Sequence, residues 1–379
     1  MRLAVSEGSL PSCQLPGMLR TAFTELVGCQ VPIQLAPMGG GVVTAELAIA
    51  VTRAGGLGML QRSGPGPLAD RIGRLEQAGV GPFGVNFLLY DPSQDDRAAI
   101  ELAASRARVV EFFWADPDPA LVDLVHAGGA LAGWQVGSVE EARRAVDAGC
   151  DLVVAQGVEA GGHVRGTMAL LPLLAGVLDA VMVPVLAAGG IASARSMAAV
   201  LAAGTAGVRV GTRFLATAES GAHPEYVAAL LAAGGEATVL TEAFAVGWPD
   251  APHRVLRSAL QAAETFEGEV VGTVAAGPRS APLPRLSART PSREVSGAVE
   301  AMALYAGQGV GQVTDVRAGG ADRCRTRRGS GAAAATLKQG YQPRDEVTTS
   351  ARHGSTQCKL HSALIRVIAR SGSCGATGS

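Results

Sequence analysis

Residues 151–163 read DLVVAQGVEAGGH, an apolar run followed by a glycine-rich loop that ends in a histidine. The run Asp151–Ala155 predicts a buried strand, and the glycines of Gln156–His163 allow backbone N–H groups to approach a flat or anionic ligand. The ordinary pKa of histidine lies near neutrality, so His163 can act as a base at the end of this strand. Two similar strand-then-glycine units follow at 183–191 and 207–214. Three such units in a row indicate a barrel that holds a cofactor by its phosphate at one end.

Apolar strand-like runs alternate with amphipathic helix-like runs along most of the chain, which is typical of parallel α/β architecture. The predicted strands number eight, the count of a TIM (β/α)8 barrel, and they cover Pro32–Ala36, Leu57–Leu60, Phe83–Leu88, Val109–Phe113, Ala130–Val136, Asp151–Ala155, Pro184–Ala188 and Gly207–Val210. Helices are predicted near 44–54, 67–78, 95–106, 118–127, 138–148, 168–181 and 193–203. Glycines and polar residues cluster where the strands end, which is where active sites of this fold form.

The composition fits a large enzyme domain with a sizeable core. Of the 379 residues, 48% are hydrophobic and 17% are charged, which does not suit a disordered chain. The formal net charge of −1 gives no overall attraction to nucleic acid, and no stretch reaches the roughly 18 apolar residues that span a bilayer. The six cysteines lack CxxC spacing, which argues against a metal site and against a disulfide framework. We therefore expect a cytoplasmic protein without a metal.

The chain is expected to fall into three parts. Residues 1–18 have a glutamate and two prolines where a signal peptide needs an apolar run, so they are interpreted as a flexible extension. The barrel is assigned to 19–316. Residues 1–317 carry 22 basic and 30 acidic side chains, whereas 318–379 carry 10 basic and 3 acidic ones. Because this last segment also lacks periodicity, 317–379 is predicted to be a disordered basic tail, and we hypothesise that the reading frame is lost near residue 318.

Segment 215–300 departs from the strand–helix alternation and predicts a lid or partly helical subdomain after the last strand. Helices are expected at Pro224–Ala233 and Pro252–Ala263, with a loop rich in proline, arginine and serine near 277–293. A last helix is expected at Ser296–Tyr305. The glycine-rich segment that follows it, Gly307–Gly311, is expected to return to the barrel mouth.

Two glycine turns after consecutive late strands predict a phosphate site. Gly189 and Gly190 precede a helix that starts at Ser193, so backbone N–H groups and the helix N-terminus can bind an anion. Gly211 and Thr212, after the next strand, complete the phosphate site that is common in barrels of this kind. The same glycines could serve only as tight turns, but their occurrence at these two strands favours the phosphate site.

Other strand ends carry candidate ligand contacts. The glycine of Pro37-Met38-Gly39 lets the chain approach a planar ring, although a plain turn explains it equally well. Asn86 and Gln135 end the third and fifth predicted strands, and their amides can meet ring heteroatoms, a nitro or carbonyl group, or only a local backbone group. His163 is the candidate base because it lies in a glycine loop at a strand end. The other histidines are interpreted as structural: His126, His223, His253, His353 and His361.

Five motifs occur in a fixed order: APMGG (36–40), GVNF (84–87), AQGVEAGGH (155–163), LAAGGI (186–191) and GVRVGTRF (207–214). Together they resemble the nitronate monooxygenases, formerly called 2-nitropropane dioxygenases, over about residues 19–316. These are FMN enzymes on a TIM barrel, so the resemblance implies an FMN-dependent oxidoreductase. The chain departs from the family after residue 318, where family members usually close with a helix.

The resemblance also implies roles for individual residues. His163 matches the histidine that acts as catalytic base in the family. Twelve further residues are implied to contact FMN, along its ring, around the pocket or at its phosphate: Pro37, Met38, Gly39, Asn86, Gln135, Gln156, Gly161, Gly162, Gly189, Gly190, Gly211 and Thr212.

The implied reaction is oxidative denitrification, in which a nitroalkane or nitronate reacts with dioxygen to give a carbonyl compound and nitrite, the flavin carrying the difficult chemistry. An FMN- and NAD(P)H-dependent enoyl-acyl-carrier-protein reductase, which has a similar glycine–histidine loop, is an alternative, and Gln156 favours the monooxygenase. A flavin-binding protein with little turnover is another, against which the intact His163 loop argues. The expected partners are a small-molecule substrate and dioxygen, without nucleic acid or membrane, and a homo-oligomer is left open.

Overall fold

The computed structural model describes residues 19–90, 96–276 and 279–316. The extension expected at 1–18 and the tail expected at 317–379, with its hypothetical loss of reading frame, lie outside these residues. Within the described part of the chain, no helix combines the length and apolar character needed to cross a membrane.

Eight parallel strands form the barrel, which confirms the predicted TIM (β/α)8 fold. They are β1 (Ile33–Leu35), β2 (Gly58–Gln61), β3 (Phe83–Leu88), β4 (Val109–Phe113), β5 (Leu131–Val136), β6 (Leu152–Gln156), β8 (Val185–Ala188) and β9 (Gly207–Val210), whereas β7 (Gly162–His163) lies outside the barrel. Neighbouring strands pair in the order β1-β9-β8-β6-β5-β4-β3-β2. A parallel bridge between Gln34 and Leu57 then closes the ring.

Helices cover the outside of the barrel. They are α1 (Ala22–Val27), α2 (Ala45–Arg53), α3 (Pro65–Gln77), α4 (Arg97–Arg106), α5 (Pro119–Ala127), α6 (Val139–Asp147), α7 (Leu170–Ala180), α8 (Ala194–Ala202) and α9 (Thr212–Leu215). Local chemistry sets where they begin: the Ser138 and Ser193 hydroxyls accept backbone N–H bonds and so cap α6 and α8. The seven predicted helices agree with α2 to α8 within two residues at each end.

The main hydrophobic core lies between the barrel and its helices. Leu47 of α2, Ile72 of α3 and Leu173 of α7 are fully buried in it. Buried apolar surface stabilises a fold by about 25 cal/mol per Å². This layer therefore fixes the strands whose carboxyl ends carry the site.

After α9 the chain leaves the barrel pattern and adds α10 (Pro224–Ala232), α11 (Arg257–Thr265) and two small antiparallel sheets. In the first sheet, β10 (Thr238–Thr241) and β7 flank β11 (His253–Leu256). In the second, β12 (Val270–Ala276) is flanked by β13 (Arg279–Pro284) and β14 (Val295–Gly297). The first sheet includes the loop after β6, so this excursion lies against the barrel mouth.

The helix predicted over Pro252–Ala263 is correct only in its second half. Residues His253–Leu256 form β11, and α11 begins at Arg257. β11 pairs antiparallel with both β10 and β7, and these hydrogen bonds between distant segments override the local helical preference.

The helix predicted over Ser296–Tyr305 is wrong. Val295–Gly297 is β14, and Val299–Ala301 forms a single 3-10 turn. Gly297 has a φ of +128°, which no α-helix accommodates. The loop expected near 277–293 also contains a strand, Arg279–Pro284, whose prolines are tolerated because it lies at the edge of its sheet.

Candidate functional site

A cavity of about 500 Å³ opens at the carboxyl ends of the barrel strands. Its size falls within the roughly 300–1,000 Å³ typical of sites for small molecules and cofactors. The thirteen residues selected from the sequence all line it, although their roles stay predictions: Pro37, Met38, Gly39, Asn86, Gln135, Gln156, Gly161, Gly162, His163, Gly189, Gly190, Gly211 and Thr212.

The turn from β8 into α8 is made by two glycines in the left-handed region, Gly189 with φ +115° and Gly190 with φ +65°. Side chains other than glycine rarely adopt such angles, so these residues allow the tight turn that brings the start of α8 to the cavity. Gly211 and Thr212 follow β9, which is hydrogen-bonded to β8. These two adjacent turns lead into α8 and α9, and they can supply backbone N–H groups to a phosphate.

The glycine loop after β6 packs closely against the chain segment that begins at Gly307. A Cβ atom on Gly161 would lie 2.4 Å from the backbone nitrogen of Gly307, so only glycine fits there. The Gly307 N–H donates to Thr212 Oγ1 at 3.1 Å, and the Gln308 N–H donates to the Glu159 carbonyl oxygen at 3.0 Å. The predicted return of this glycine-rich segment to the barrel mouth is thereby confirmed.

Two charged side chains hold the loop without lining the cavity. The Glu159 carboxylate accepts the Leu170 N–H, with both oxygens at 3.0 Å from that nitrogen. Arg254 donates to the Val158 carbonyl oxygen at 2.8 and 3.0 Å. Glu159 therefore orders the loop, and the glycines of the loop face the cavity.

A buried ion pair lies at the floor of the cavity, where Arg209 is a lining residue and Glu111 lies behind it. Arg209 of β9 pairs with Glu111 of β4, and their side chains are 4% and 0% exposed. Arg209 also donates to Gln34 Oε1 at 2.8 and 3.0 Å and to Gln135 Oε1. Glu111 accepts from Gln34 Nε2 at 3.3 Å and from Asn86 Nδ2 at 3.2 Å. The pair thus holds Asn86 and Gln135, the two amides that the sequence predicts to be ligand contacts.

Three amide oxygens at the cavity are buried and have no hydrogen-bond partner within the described ranges: Gln61 Oε1, Asn86 Oδ1 and Gln156 Oε1. A buried polar atom left unpaired costs about 1–3 kcal/mol. The Gln156 amide is oriented by its Nε2, which donates to the His163 carbonyl oxygen at 2.9 Å. These acceptors suit a ligand that carries N–H or O–H groups.

His163 lies among aromatic side chains at the cavity. Its ring stacks on Trp248 with the centroids 3.7 Å apart, and it meets Trp114 edge-on at 5.8 Å and Tyr305 at 5.5 Å. Its Nε2 is buried and has no hydrogen-bond partner in the described part of the chain. Burial, with a further contribution from His253, lowers the pKa of His163 to about 3. The ring is therefore neutral near pH 7 and able to accept a proton.

His253 lies opposite His163 in the β7–β11 pair, with the two ring centroids 5.2 Å apart. Its Nε2 accepts the Phe244 N–H at 3.2 Å, so the proton of the neutral ring lies on Nδ1, which donates to the Ala251 carbonyl oxygen at 2.7 Å. Burial lowers its pKa as well. Both ring nitrogens are occupied, which agrees with the structural role expected from the sequence.

Trp114 is held in an unusual backbone conformation beside His163. Its φ is +86°, a left-handed value that costs a residue other than glycine about 1–3 kcal/mol. Arg165 donates to the Trp114 carbonyl oxygen and forms ion pairs with Glu141 and Asp116, each at 2.6 Å. This ion cluster compensates for the backbone strain and fixes the indole at the edge of the histidine ring.

Sequence reasoning missed the floor pair and the aromatic surroundings of His163. The pair had a usable signal, because Glu111 and Arg209 are single charges within otherwise apolar strands, VVEFF and GVRV, and buried charges require partners. Trp114 carried a weaker signal, because it directly follows the predicted strand Val109–Phe113, whereas Trp248 carried none. They come from distant loops, and no local pattern connects them.

Comparisons of the sequence and the structure with known proteins identify relatives of this chain. A family model described as nitronate monooxygenase matches residues 20–319. The (3aS,4S,5R,7aS)-5-hydroxy-7a-methyl-1-oxo-octahydro-1H-indene-4-carboxyl-CoA dehydrogenase of Rhodococcus jostii is 37% identical over 260 residues, covering 68% of this chain and 71% of that protein. FabK from Thermotoga maritima superposes with a TM-score of 0.65 at 32% identity, covering 79% of this chain and 92% of that one. The nitroalkane oxidase from Streptomyces ansochromogenes gives a TM-score of 0.59 at 33% identity, covering 77% and 92%.

Proposed function

The chain belongs to the nitronate monooxygenase family, and we propose that it uses FMN and dioxygen to convert a nitroalkane or its nitronate into a carbonyl compound and nitrite. Family membership makes the chain an oxidoreductase. The observation that carries the finer proposal is a neutral histidine whose Nε2 has no partner among the described residues, at a cavity of cofactor size.

The residues at the cavity fit FMN in both polarity and shape. The glycine turns at Gly189–Gly190 and Gly211 suit its phosphate. The unpaired oxygens of Gln61, Asn86 and Gln156 suit its donors, which are one N–H group at the edge of the ring and the hydroxyl groups of the ribityl chain. When bound, FMN would take electrons from the substrate and pass them to dioxygen.

His163 supplies the base in this proposal. The hydrogen on the carbon that bears a nitro group is acidic, and the neutral imidazole removes it as a proton, leaving the nitronate anion. The imidazolium formed is then paired with that anion, which offsets the cost of a buried charge. Trp114 and Trp248 cover the ring and limit the access of water. A positioned base of this kind accelerates a reaction roughly 10²–10⁴-fold.

The experiment is anaerobic mixing of the FMN-loaded protein with a nitronate, while the flavin absorbance is followed. Loss of the oxidised flavin spectrum, followed by release of nitrite when oxygen is admitted, is the expected result. If the nitronate leaves the flavin spectrum unchanged and NADH or NADPH alone bleaches it rapidly, the denitrification proposal is wrong.

A second candidate function is reduction or oxidation of an acyl thioester. The Rhodococcus relative is by name a dehydrogenase of a carboxyl-CoA compound. In this chain Arg289 lines the cavity, and its buried Nε has no partner among the residues that the structure describes, so the side chain could meet a phosphate of such a ligand. Reoxidation of NADH-reduced flavin by an enoyl thioester, without reaction with nitronates, would establish this alternative.

We also propose a cytoplasmic location, from the cysteines. Cys29 and Cys150 are buried free thiols, and burial raises the pKa of each to about 12. Uncharged thiols of this kind suit a reducing compartment. Detection of the protein in a membrane-free cytosolic fraction is the expected result, and its recovery only from secreted material would contradict it.

A further inference from the structure

We propose that the Arg209–Glu111 ion pair is a positioning device, which fixes the end of the Asn86 and Gln135 amides that faces the cavity. The inference rests on the proposed function in one respect, because it takes a flavin to be the ligand of that floor. It gives these two buried charges a role in ligand binding, which is separate from the stability of the fold and from the proton transfer at His163.

An amide side chain carries an acceptor oxygen and a donor NH2 group, and a rotation of 180° exchanges their positions. A neighbouring group that can only accept or only donate hydrogen bonds prevents this exchange. Glu111 is such a neighbour, because a carboxylate only accepts. The Asn86 Nδ2 lies 3.2 Å from Glu111 Oε1 and 3.4 Å from the Glu111 carbonyl oxygen. The Asn86 Oδ1 is thereby left for the cavity, buried and without a partner in the described structure.

Arg209 acts on Gln135 in the opposite sense, because a guanidinium only donates. It donates to Gln135 Oε1, which leaves the NH2 group of Gln135 for the cavity that this residue lines. Gln34 bridges the two charged side chains, because its oxygen accepts a hydrogen bond from Arg209 and its Nε2 donates one to Glu111. The cation and the anion together present one acceptor and one donor to a ligand.

This pattern is complementary to the pyrimidine edge of a flavin, where an N–H group at position 3 lies between two carbonyl oxygens. The Asn86 oxygen can accept the N3–H, and the Gln135 NH2 can donate to a neighbouring carbonyl. A rotated amide would place donor against donor and leave buried groups unpaired. The two charges oppose that rotation more strongly than neutral residues at positions 111 and 209 would, and at Asn86 the long bond to the Glu111 carbonyl oxygen adds to their effect.

The substitution Glu111→Gln follows directly from this reasoning. Arg209 requires the oxygen of the new amide, so the NH2 of Gln at position 111 turns toward Asn86. Asn86 then rotates to offer its oxygen to that NH2, giving up its long 3.4 Å bond to the Glu111 carbonyl oxygen, and presents its own NH2 to the cavity. The shape of the floor is unchanged, but its polarity at this point is inverted.

The test titrates the apo-protein with FMN and with N3-methyl-FMN, which lacks the N3–H group. The wild-type protein is expected to prefer FMN about tenfold or more, as one hydrogen bond to a buried group would give. Glu111→Gln is expected to bind FMN at least about tenfold more weakly and to lose the preference. The double variant E111Q/N86D restores an acceptor-only group at position 86 and is expected to regain the preference for FMN.

Two further variants control for loss of structure. Gln135→Glu keeps the oxygen that Arg209 needs but removes the donor, so FMN binding should weaken while the preference over N3-methyl-FMN persists. Glu76→Gln makes the same chemical change in the exposed pair with Arg106 and should alter neither affinity. Circular dichroism and thermal melting of each apo-protein establish that it is folded.

The outcomes separate the inference from the proposed function. If the wild-type protein binds no FMN, both are overturned. If it binds FMN and Glu111→Gln keeps the wild-type affinities for both flavins, the positioning role is wrong and the proposed function stands. Weaker binding in Glu111→Gln with an unchanged preference, and no recovery in the double variant, would show a merely structural pair and would also overturn the inference.

Discussion

His163 is kept neutral mainly because burial removes the water that would solvate its cation. Trp248, Trp114 and Tyr305 surround the ring, and His253, the ionisable neighbour across the β7–β11 pair, disfavours a second positive charge. A buried base with a low pKa is weak in equilibrium terms but is present in its reactive form at every physiological pH. Proton removal by so weak a base depends on the nitronate anion, which forms beside the ring and stabilises the imidazolium.

The pH dependence of the reaction follows from this pKa. With a neutral nitroalkane as substrate, kcat/KM is expected to stay level from about pH 8 to about pH 5, since His163 becomes protonated only near its pKa of about 3. Steady-state nitrite release over this range is the measurement. A decline with an apparent pKa near the ordinary histidine value of about 6.5 would show that the base is not the buried ring described.

The stability of the apo-protein should respond to the same group. The unfolded chain binds a proton at His163 near the ordinary pKa of 6.5, whereas the folded chain binds it only near about 3. Between these values the unfolded state holds more protons, so stability decreases as the pH decreases through this window. His163→Gln should reduce the decline in Tm between about pH 7 and about pH 5. An identical decline in both proteins would contradict the assignment.

Trp114 gives a test of backbone strain. Because its φ is +86°, an alanine at this position keeps the strain and a glycine relieves it. Trp114→Gly is therefore expected to be more stable than Trp114→Ala by about 1–2 kcal/mol, although both lose the indole. Urea unfolding of the two variants measures the difference. Greater stability of the alanine variant would show that the left-handed conformation does not persist in solution.

Among the elements, the contact of the β6 loop with the segment at Gly307 governs the shape of the cavity. A Cβ at Gly161 would lie 2.4 Å from the Gly307 nitrogen and 2.6 Å from the Ala306 carbonyl carbon, and these backbone atoms cannot yield without separating the two segments. Gly161→Ala is expected to lower stability by about 1–3 kcal/mol and to weaken FMN binding.

Gly73 of α3 provides the matched control for this change. A Cβ at Gly73 meets no atom within 4 Å, so Gly73→Ala should leave FMN binding unchanged and stabilise the helix by roughly 0.5–1 kcal/mol. Fluorescence titration with FMN and thermal melting are the measurements. Unaltered FMN affinity in Gly161→Ala would contradict the close packing of these two segments.

The elements of the barrel could be predicted from the sequence because their signals are local. Apolar runs such as VVEFF at 109–113 mark strands, and serines such as Ser193 mark the helix starts. The excursion after α9 could not be predicted in the same way. The residues of β11 become a strand by pairing with β10 and with the distant β7, and those of β14 by pairing with β12. Such pairing leaves no periodic pattern in either segment.

The same distinction applies to the residues of the candidate site: those in local motifs could be predicted from the sequence, and those brought together by the fold could not. The glycine turns and His163 were found because each lies in a short motif at a strand end. The Arg209–Glu111 pair joins strands on different sides of the barrel, across 98 residues of sequence. Such a contact becomes visible only once the barrel has closed.

For the molecule as a whole, the described lining of the cavity comes from one part of the chain. Every lining residue that the structure describes lies between Ala36 and Gly309. A protein comprising residues 19–316 is therefore expected to fold and to bind FMN with the affinity of the full chain. Calorimetric titration of both proteins is the measurement, and an affinity at least about tenfold lower for the shorter protein would show that the cavity needs further residues.

The most direct test of a histidine-dependent denitrification compares a neutral nitroalkane with its preformed nitronate in the wild-type protein and in His163→Asn, with nitrite as the measured product. We predict that the wild-type protein uses both. The variant should lose activity on the neutral nitroalkane by roughly 10²–10⁴-fold while keeping its activity on the nitronate, which needs no base. Equal loss with both substrates, or no nitrite from either substrate with the FMN-loaded wild-type protein, would contradict the proposed reaction.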